Sequence, residues 1–518
     1  MSTKEFELRI FRYDPGRDES PTYQSYNVPY ADGMTVLDAL DYVYENLDST
    51  LAYRKSCRQG SCGSCAVLVD AKPCAACRTL VKKGTSITVS PLLHFDVIKD
   101  LVTDVARGTR RLTRIRPYVE RASLPERPEI IMRNDIESTR DIRKCIECWS
   151  CISACPVIAD AWQEFAGPLP MRQLARLKFD PRDVEDRVKI AIADGLYDCT
   201  TCKACVEACP KEIDIPAKAI EKLRYFAAKE GLGPLPGHMD FVRLVDETGR
   251  SVARKTTPLL EQVPDVVRVR DPIDRVAFFT GCLLDLRMQD TGKALINTLA
   301  ANNVEVHVPK NQVCCGSPAL RTGATEVAKK RIIQNTEVFE KLDVEKVVVG
   351  CSGCGLTLKT NFPEILYEEL GRRPDFKVYD INEYLVDELG AERMVKPSNI
   401  LDLRVTYHDP CHLNRGQGIK TEPRELLRMI PGIEFIEMKE ADRCCGSGGG
   451  VRAGRRPLSM MIARRKAELV KETEADICAT SCPFCTVQLQ EILQMLGIGT
   501  KVSNVVDLLG RSYGKSIV

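Results

Sequence analysis

Cysteines set the chemistry open to this chain. It has 24 of them in 518 residues, and all but Cys74 and Cys478 fall into ligand-like spacings. In the second half, Cys282 is followed after 31 residues by the pair Cys314-Cys315, and after 35 more by Cys351-x-x-Cys354. The pattern then recurs as Cys411, 32 residues, Cys444-Cys445, 36 residues, Cys482-x-x-Cys485. Five thiols at matched spacing, twice over, form a ligand constellation that chance would almost never assemble. They imply electron transfer, with a disulfide made or broken at the far end. Upstream, Cys145-x2-Cys148-x2-Cys151-x3-Cys155-Pro156 and Cys199-x2-Cys202-x2-Cys205-x3-Cys209-Pro210 are two complete bacterial-ferredoxin runs. Paired runs of this kind hold cubane [4Fe–4S] clusters, and the fourth cysteine of each serves the other cluster. One cluster is therefore expected on Cys145, Cys148, Cys151 and Cys209, the second on Cys199, Cys202, Cys205 and Cys155.

Nearer the N-terminus, Cys57-x4-Cys62-x2-Cys65 followed by Cys77 has the plant-type [2Fe–2S] spacing. Gly60 and Gly63 let that loop wrap with its amides facing the sulfide of a cluster. Cys74 competes with Cys77 for the fourth place. Cys77, separated from Cys65 by eleven residues, is favoured, and Cys74 reads as a small buried apolar residue. Cys478 reads as a core thiol.

The elements that must position these thiols are partly visible. Residues 5–13 alternate polar and apolar and predict a strand. Thr35 to Val43 has helical spacing, and Ala66–Val69 and Ser86–Val89 are short strand candidates. Together they predict a compact α+β module. The stretch 107–128, rich in Arg and Pro, reads as a linker or an extended crossing segment. Residues 139–228 embed both ferredoxin runs in helical pattern, and 231–272 reads as a second linker marked by Gly and Pro. From 275 the chain repeats itself. Arg275-Val-Ala-Phe-Phe-Thr-Gly-Cys282 matches Arg404-Val-Thr-Tyr-His-Asp-Pro-Cys411, and the Cys pairs and CxxC motifs follow at nearly constant offset. Each unit reads as alternating strands and helices, hence an α/β layer with parallel strands whose ends carry the cysteines.

Composition bounds the rest. The length suggests several domains: 1–106, 107–230, a linker 231–274, 275–400 and 401–518. The formal charge of +2, without a basic stripe, gives no reason to expect nucleic acid. No apolar run approaches a membrane span. The first residues, Met1 to Phe6, lack the apolar core of a secretory signal, so a cytoplasmic chain with no membrane attachment is expected. In a reducing compartment so many cysteines favour metal over disulfides. Zinc modules use CxxC pairs, often with histidine, whereas this chain has five histidines and cysteines in threes, fours and fives, which favours iron–sulfur.

Residues 1–230 resemble the iron–sulfur subunit of the succinate dehydrogenase/fumarate reductase family. The resemblance implies a β-grasp-like [2Fe–2S] domain followed by an α-helical ferredoxin domain. That family often carries a non-ligating residue where this chain has Cys202, making a [3Fe–4S] centre near the quinone. With all eight cysteines in place, two [4Fe–4S] cubanes are expected here. Residues 275–518 resemble the catalytic B subunit of heterodisulfide reductase. That resemblance implies a duplicated α/β cysteine-rich domain with two non-cubane [4Fe–4S] clusters. One would sit on Cys282, Cys314, Cys315, Cys351 and Cys354, the other on Cys411, Cys444, Cys445, Cys482 and Cys485. The two halves in one chain resemble the iron–sulfur B subunits of the thiol:fumarate reductase family of methanogenic archaea, across nearly the whole length.

The resemblance implies oxidation of coenzyme M and coenzyme B thiols to a heterodisulfide. Electrons would pass through the cubanes and one [2Fe–2S] cluster to a flavoprotein partner that reduces fumarate. No GxGxxG follows a strand, so no flavin or nicotinamide is expected on this chain. The alternative is an electron-transfer subunit linked to a quinone or a membrane anchor. Three weaker features remain. Gly446-Ser-Gly-Gly-Gly450 reads as close backbone approach to a cluster in preference to a phosphate loop. Arg452, Arg455 and Arg456 read as a solvated basic face, with pairing to an anionic substrate as the sharper possibility. His408 and His412, flanking Cys411, read as packed histidines.

Overall fold

The computed structural model describes residues 5–124, 129–514 and 518. Residues 1–4 of the N-terminal reading and 125–128 of the first expected linker lie outside them. The chain divides into two compact units. The first runs to Cys199 and includes Lys203–Leu223; the second comprises Thr200–Cys202 and everything from Arg224 onward.

The first unit opens with a five-stranded mixed sheet. Strands β1 (Glu5–Arg12), β2 (Thr22–Pro29), β3 (Ala66–Val69), β4 (Lys72–Ala75) and β5 (Ile87–Ser90) lie in the order β2-β1-β5-β3-β4. β1 runs parallel to β5 and the other pairs are antiparallel. Alternation along β1 explains its placement: Phe6, Leu8 and Ile10 are buried while Glu5, Glu7 and Arg9 face water. Helix Val36–Tyr42 covers the sheet. Its N-cap Thr35 accepts from the Asp38 amide, and Asp38 accepts from the Thr35 amide at 2.9 Å, a reciprocal cap. This is the β-grasp-like module expected. A hairpin of β6 (Asp96–Lys99) and β7 (Val102–Asp104) follows.

The expected linker at 107–128 begins differently: Ala106–Arg114 is a helix. Its arginines are anchors. Arg111 donates to the carbonyls of Phe165 and Trp162, and Arg107 and Arg111 both lie over the Trp162 ring. Gly108 faces Trp149 so closely that a Cβ would stand 2.4 Å from the ring. Short helices then carry the ferredoxin runs, among them Ser150–Ser153 and Ala204–Glu207.

In the second unit, the stretch expected as a linker at 231–274 also holds regular structure. Helix Pro236–Thr248 starts on a proline, which costs nothing at the first helical position because that amide needs no partner. Strand β8 (Val266–Val267) pairs antiparallel onto the sheet that follows. That sheet contains β9 (Asp274–Phe279), β10 (Val304–His307), β11 (Lys346–Val349) and β12 (Lys377–Asp380), in the order β12-β11-β9-β10-β8. The second repeat builds β13 (Leu403–Tyr407), β14 (Ile433–Ile436), β15 (Ile477–Thr480) and β16 (Lys501–Asn504), in the order β14-β13-β15-β16.

Within each repeat all pairs are parallel, and equivalent strands occupy equivalent places. Such sheets are covered on both faces, which is why Val276 to Phe279 and Val347 to Val349 are continuous buried runs. Multidomain α+β and α/β architecture with a duplicated α/β cysteine-rich domain is what the sequence led us to expect. No helix among the described residues is long and apolar enough to cross a membrane.

Candidate metal centres

In the first unit, the loop from Cys57 to Cys65 joins helix Val36–Tyr42 to β3. Cys62 is exposed, Cys65 and Cys77 are buried, and Cys57 and Cys74 are intermediate. The Ser61 amide donates to the Cys57 sulfur at 3.3 Å. Hydrogen bonds, first from the Ser64 side chain, hold the Cys62 thiol down to about 6. Burial pushes Cys65 up to about 12, with Cys77 as its hydrogen-bonding neighbour. Cys74 lies on β4 opposite Val67; burial raises its thiol, and Thr79 is its side-chain partner. Gly63, at φ +73°, brings this loop against the first ferredoxin run: a Cβ there would stand 2.7 Å from the Ile146 carbonyl and 2.9 Å from Cys148.

The two ferredoxin runs share one backbone device. Glu147 and Trp149 are left-handed in the first, and Thr201 and Lys203, at the same offsets, in the second. Non-glycine residues in this region carry strain of about 1–3 kcal/mol and gather at functional sites. Cys145, Cys148 and Cys151 are each raised by burial, and each feels the charge of Cys209. Cys209, the fourth cysteine of the second run, thus lies within electrostatic reach of the first three of the first run.

In the second unit, the ten cysteines of the twin motifs line one cavity of about 480 Å³. Cys282 lies on helix Gly281–Leu286 after β9, and Cys411 opens helix Cys411–Gln417 after β13. Cys351 and Cys482 precede the helices after β11 and β15, with Cys354 and Cys485 in their first turns. Nine of the ten are buried, and Cys411 is intermediate.

Their thiols form a chain of contacts. Cys282 pairs with Cys314, Cys314 with Cys315, Cys315 with Cys354, and Cys354 with Cys351. Cys351 then contacts Cys482 of the other motif, Cys482 pairs with Cys485, and the Cys485 and Cys445 sulfurs lie 3.6 Å apart. Cys444 pairs with Cys411 and also with Cys202, and its sulfur lies 3.5 Å from the Thr200 hydroxyl. Hydrogen bonds from neighbouring thiols hold Cys315, Cys445 and Cys482 down, while Cys354 and Cys485 are raised by the thiols they face. Backbone amides of Ser251 and Gly446 each donate to sulfur at 3.3 Å, on Cys282 and Cys444.

The weaker features also resolve. The glycines of 446–450 serve close backbone approach: Gly448, Gly449 and Gly450 line the cavity, a Cβ on Gly448 would stand 2.4 Å from the Thr200 carbonyl, and one on Gly446 would stand 2.5 Å from the Ser459 carbonyl. Arg452 and Arg456 are no open basic face; they line the cavity and both pair with Glu491. Arg455 is not part of the lining. Arg321, a buried guanidinium on the same wall, carried no sequence signal, since a lone arginine in a helix looks like any surface cation. His412 lines the cavity and bonds the Thr201 carbonyl at 3.2 Å. His408 is buried beside Cys445 and Cys485, its nearest ring nitrogen and the two sulfurs all within 4.8 Å of one another. Cys478 is a fully buried thiol on β15, raised by burial to about 12.

Comparison with known proteins agrees with this organisation. A 2Fe-2S iron-sulfur cluster binding domain matches residues 7–110, a 4Fe-4S dicluster domain matches 141–213, and a cysteine-rich domain matches twice, at 276–359 and 405–490. The D subunit of the dihydromethanophenazine:CoB–CoM heterodisulfide reductase of Methanosarcina acetivorans is 30% identical, over 73% of this chain and 95% of its own. A crystal structure of a hypothetical protein from Helicobacter pylori matches with a TM-score of 0.65 over 99% of this chain and 96% of its own. At 12% identity that likeness speaks to fold alone. The B subunit of the fumarate reductase (CoM/CoB) of Methanothermobacter marburgensis is 42% identical, over 98% of this chain and 99% of its own. An iron–sulfur oxidoreductase subunit with [2Fe–2S] and [4Fe–4S] domains ahead of a duplicated cysteine-rich domain, this chain belongs to the family of fumarate reductase (CoM/CoB) B subunits.

Proposed function

We propose that this chain oxidises coenzyme M and coenzyme B thiols to their heterodisulfide in the second unit and passes the two electrons on to a flavoprotein subunit that reduces fumarate. The reaction balances: two thiols lose two electrons and two protons as the S–S bond forms, and fumarate takes up both pairs to become succinate. The observation that carries the reading is the convergence of ten cysteines from two motifs on one cavity, joined at the Cys351–Cys482 contact.

The donor set supports iron–sulfur clusters. Each motif offers five buried or half-buried soft sulfurs, and backbone N–H groups already point at sulfur. On this reading Cys282, Cys314, Cys315, Cys351 and Cys354 hold one non-cubane [4Fe–4S] cluster, and Cys411, Cys444, Cys445, Cys482 and Cys485 hold the other. Two adjacent clusters supply two one-electron acceptors to a two-electron bond change. Arg321, Arg452 and Arg456 on the cavity wall place positive charge where an anionic thiol substrate would dock.

The upstream cofactors follow the same logic. Cys145, Cys148, Cys151 and Cys209 hold one cubane, supported by their mutual proximity, and Cys199, Cys202, Cys205 and Cys155 the other. Cys57, Cys62, Cys65 and Cys77 hold the [2Fe–2S] cluster, supported by the Cys65–Cys77 contact. The approach of Gly63 to Cys148 and the pairing of Cys444 with Cys202 provide short links along the electron path.

The test is low-temperature EPR on the anaerobically purified, oxidised chain as coenzyme M and coenzyme B are added separately. A new paramagnetic signal specific to one thiol is expected. A Cys445→Ser variant should lose that signal and the thiol oxidation, yet keep dye-linked fumarate reduction with its partner. Unchanged spectra from protein with full iron and sulfide content would refute the reading and leave a pure electron carrier linked to a quinone or membrane anchor.

A further inference from the structure

The two cysteine-rich repeats differ at one position next to the sulfurs. Three residues before the leading cysteine, the first repeat has Phe279 at the end of β9 and the second has His408 directly after β13. Phe279 is fully buried, packs in the core that contains Cys315, Cys351 and Cys354, and meets the Phe339 ring at 5.8 Å between centroids. Its surroundings are apolar. His408 occupies the matching place against Cys445 and Cys485, with 1% of its surface exposed.

Neither ring nitrogen of His408 has a hydrogen-bond partner among the described residues. A ring nitrogen of His408 and the Cys445 and Cys485 sulfurs all lie within 4.8 Å of one another. A packed histidine filling space would bond a carbonyl or a hydroxyl, as His238 bonds the Gly450 carbonyl at 2.9 Å. An imidazole buried without such a partner is costly, unless its N–H serves the sulfurs beside it. Its backbone is fixed for that task, since the His408 amide donates to the Ala479 carbonyl at 2.9 Å on the neighbouring strand.

We propose that His408 is a positioning residue that donates an N–H to cysteine sulfur at the second site and so makes the twin sites electronically unequal. A hydrogen bond to a ligating sulfur draws charge from a cluster and raises its reduction potential. Phe279 supplies no donor, and its apolar setting disfavours added negative charge. The site at Cys411–Cys485 therefore accepts an electron more readily than the site at Cys282–Cys354. This rests on the reading that the two five-cysteine sets hold clusters.

EPR-monitored redox potentiometry on the full chain, with iron and sulfide counted in each sample, tests it. Wild type should show two non-cubane centres of unequal potential. His408→Phe, which copies the residue of the sister repeat, should keep its iron and lower the higher potential by at least tenfold in the reduction equilibrium, about 59 mV for one electron. His408→Gln, which retains an N–H, should recover most of that loss, and Phe279→His should raise the lower potential. Unchanged potentials in iron-replete His408→Phe overturn the proposal. Loss of iron from both His408 variants also overturns it, because His408 is then a ligand or a structural prop. Wild type lacking two clusters' worth of iron refutes instead the reading on which the proposal rests.

Discussion

Gly448 offers a sharp test of how the glycine-rich loop after the second cysteine pair works. A methyl group at this position would stand 2.4 Å from the Thr200 carbonyl oxygen, roughly 1 Å inside ordinary contact. The obstacle is backbone, so no side chain can swing aside. Gly448 itself has no left-handed backbone requirement, which leaves steric overlap as the whole cost. Overpacking of this kind costs about 1–3 kcal/mol. At about 1.4 kcal/mol per tenfold, local opening should rise about 5- to 150-fold in Gly448→Ala.

The displaced segment matters chemically, because the Thr200 hydroxyl lies 3.5 Å from the Cys444 sulfur and the Thr201 carbonyl bonds His412. Native-state hydrogen exchange reads the effect at Gly446, Val451 and Gly454, whose amides are bonded to the Cys444 sulfur and the carbonyls of Gly448 and Gly450. Gly499→Ala is the control, since a Cβ there meets nothing within 4 Å. Equal exchange at those amides in the two variants would refute the reasoning.

Two further outcomes follow from the geometry. Cys77→Ala should abolish the [2Fe–2S] signal while Cys74→Ala leaves it intact, because Cys77 contacts Cys65 whereas Cys74 bonds Thr79; visible absorption and EPR decide, and the reverse pattern would exchange the roles. Asp380 is buried with its carboxyl pushed up to about 7, chiefly by desolvation. The folded chain therefore binds a proton that the unfolded chain has released between about pH 4 and 7, and stability falls as pH rises through that window by up to about 1.4 kcal/mol per pH unit. Asp380→Asn, which can still cap the Asn382 amide, should gain in denaturant midpoint relative to wild type more at pH 8 than at pH 5. An equal difference at both would sink this assignment.

Local order alone determined a great deal. The ferredoxin runs, the [2Fe–2S] loop and the repeated five-cysteine pattern are legible because ligand type and spacing along a short loop are properties of the chain itself. The same holds for β1, where alternation of Phe6, Leu8 and Ile10 with charged residues dictates a face, and for the duplication, which the paired motifs announce. Breaker composition misled at 107–128 and 231–274. Arginines that look solvated anchor helix Ala106–Arg114 to carbonyls and to Trp162, and Pro236 begins a helix instead of ending one.

Only the tertiary structure decided which thiols meet. Residues more than a hundred positions apart, such as Cys351 and Cys482, come together because the two parallel sheets place the ends of β11 and β15 on a shared cavity. The same packing set Arg321 on the cavity wall, Thr200 under Gly448, and His408 against sulfur where its sister repeat has Phe279. Spacing governs what a loop can bind; long-range packing governs what stands beside it, and neighbours of that kind leave no periodic trace in the chain.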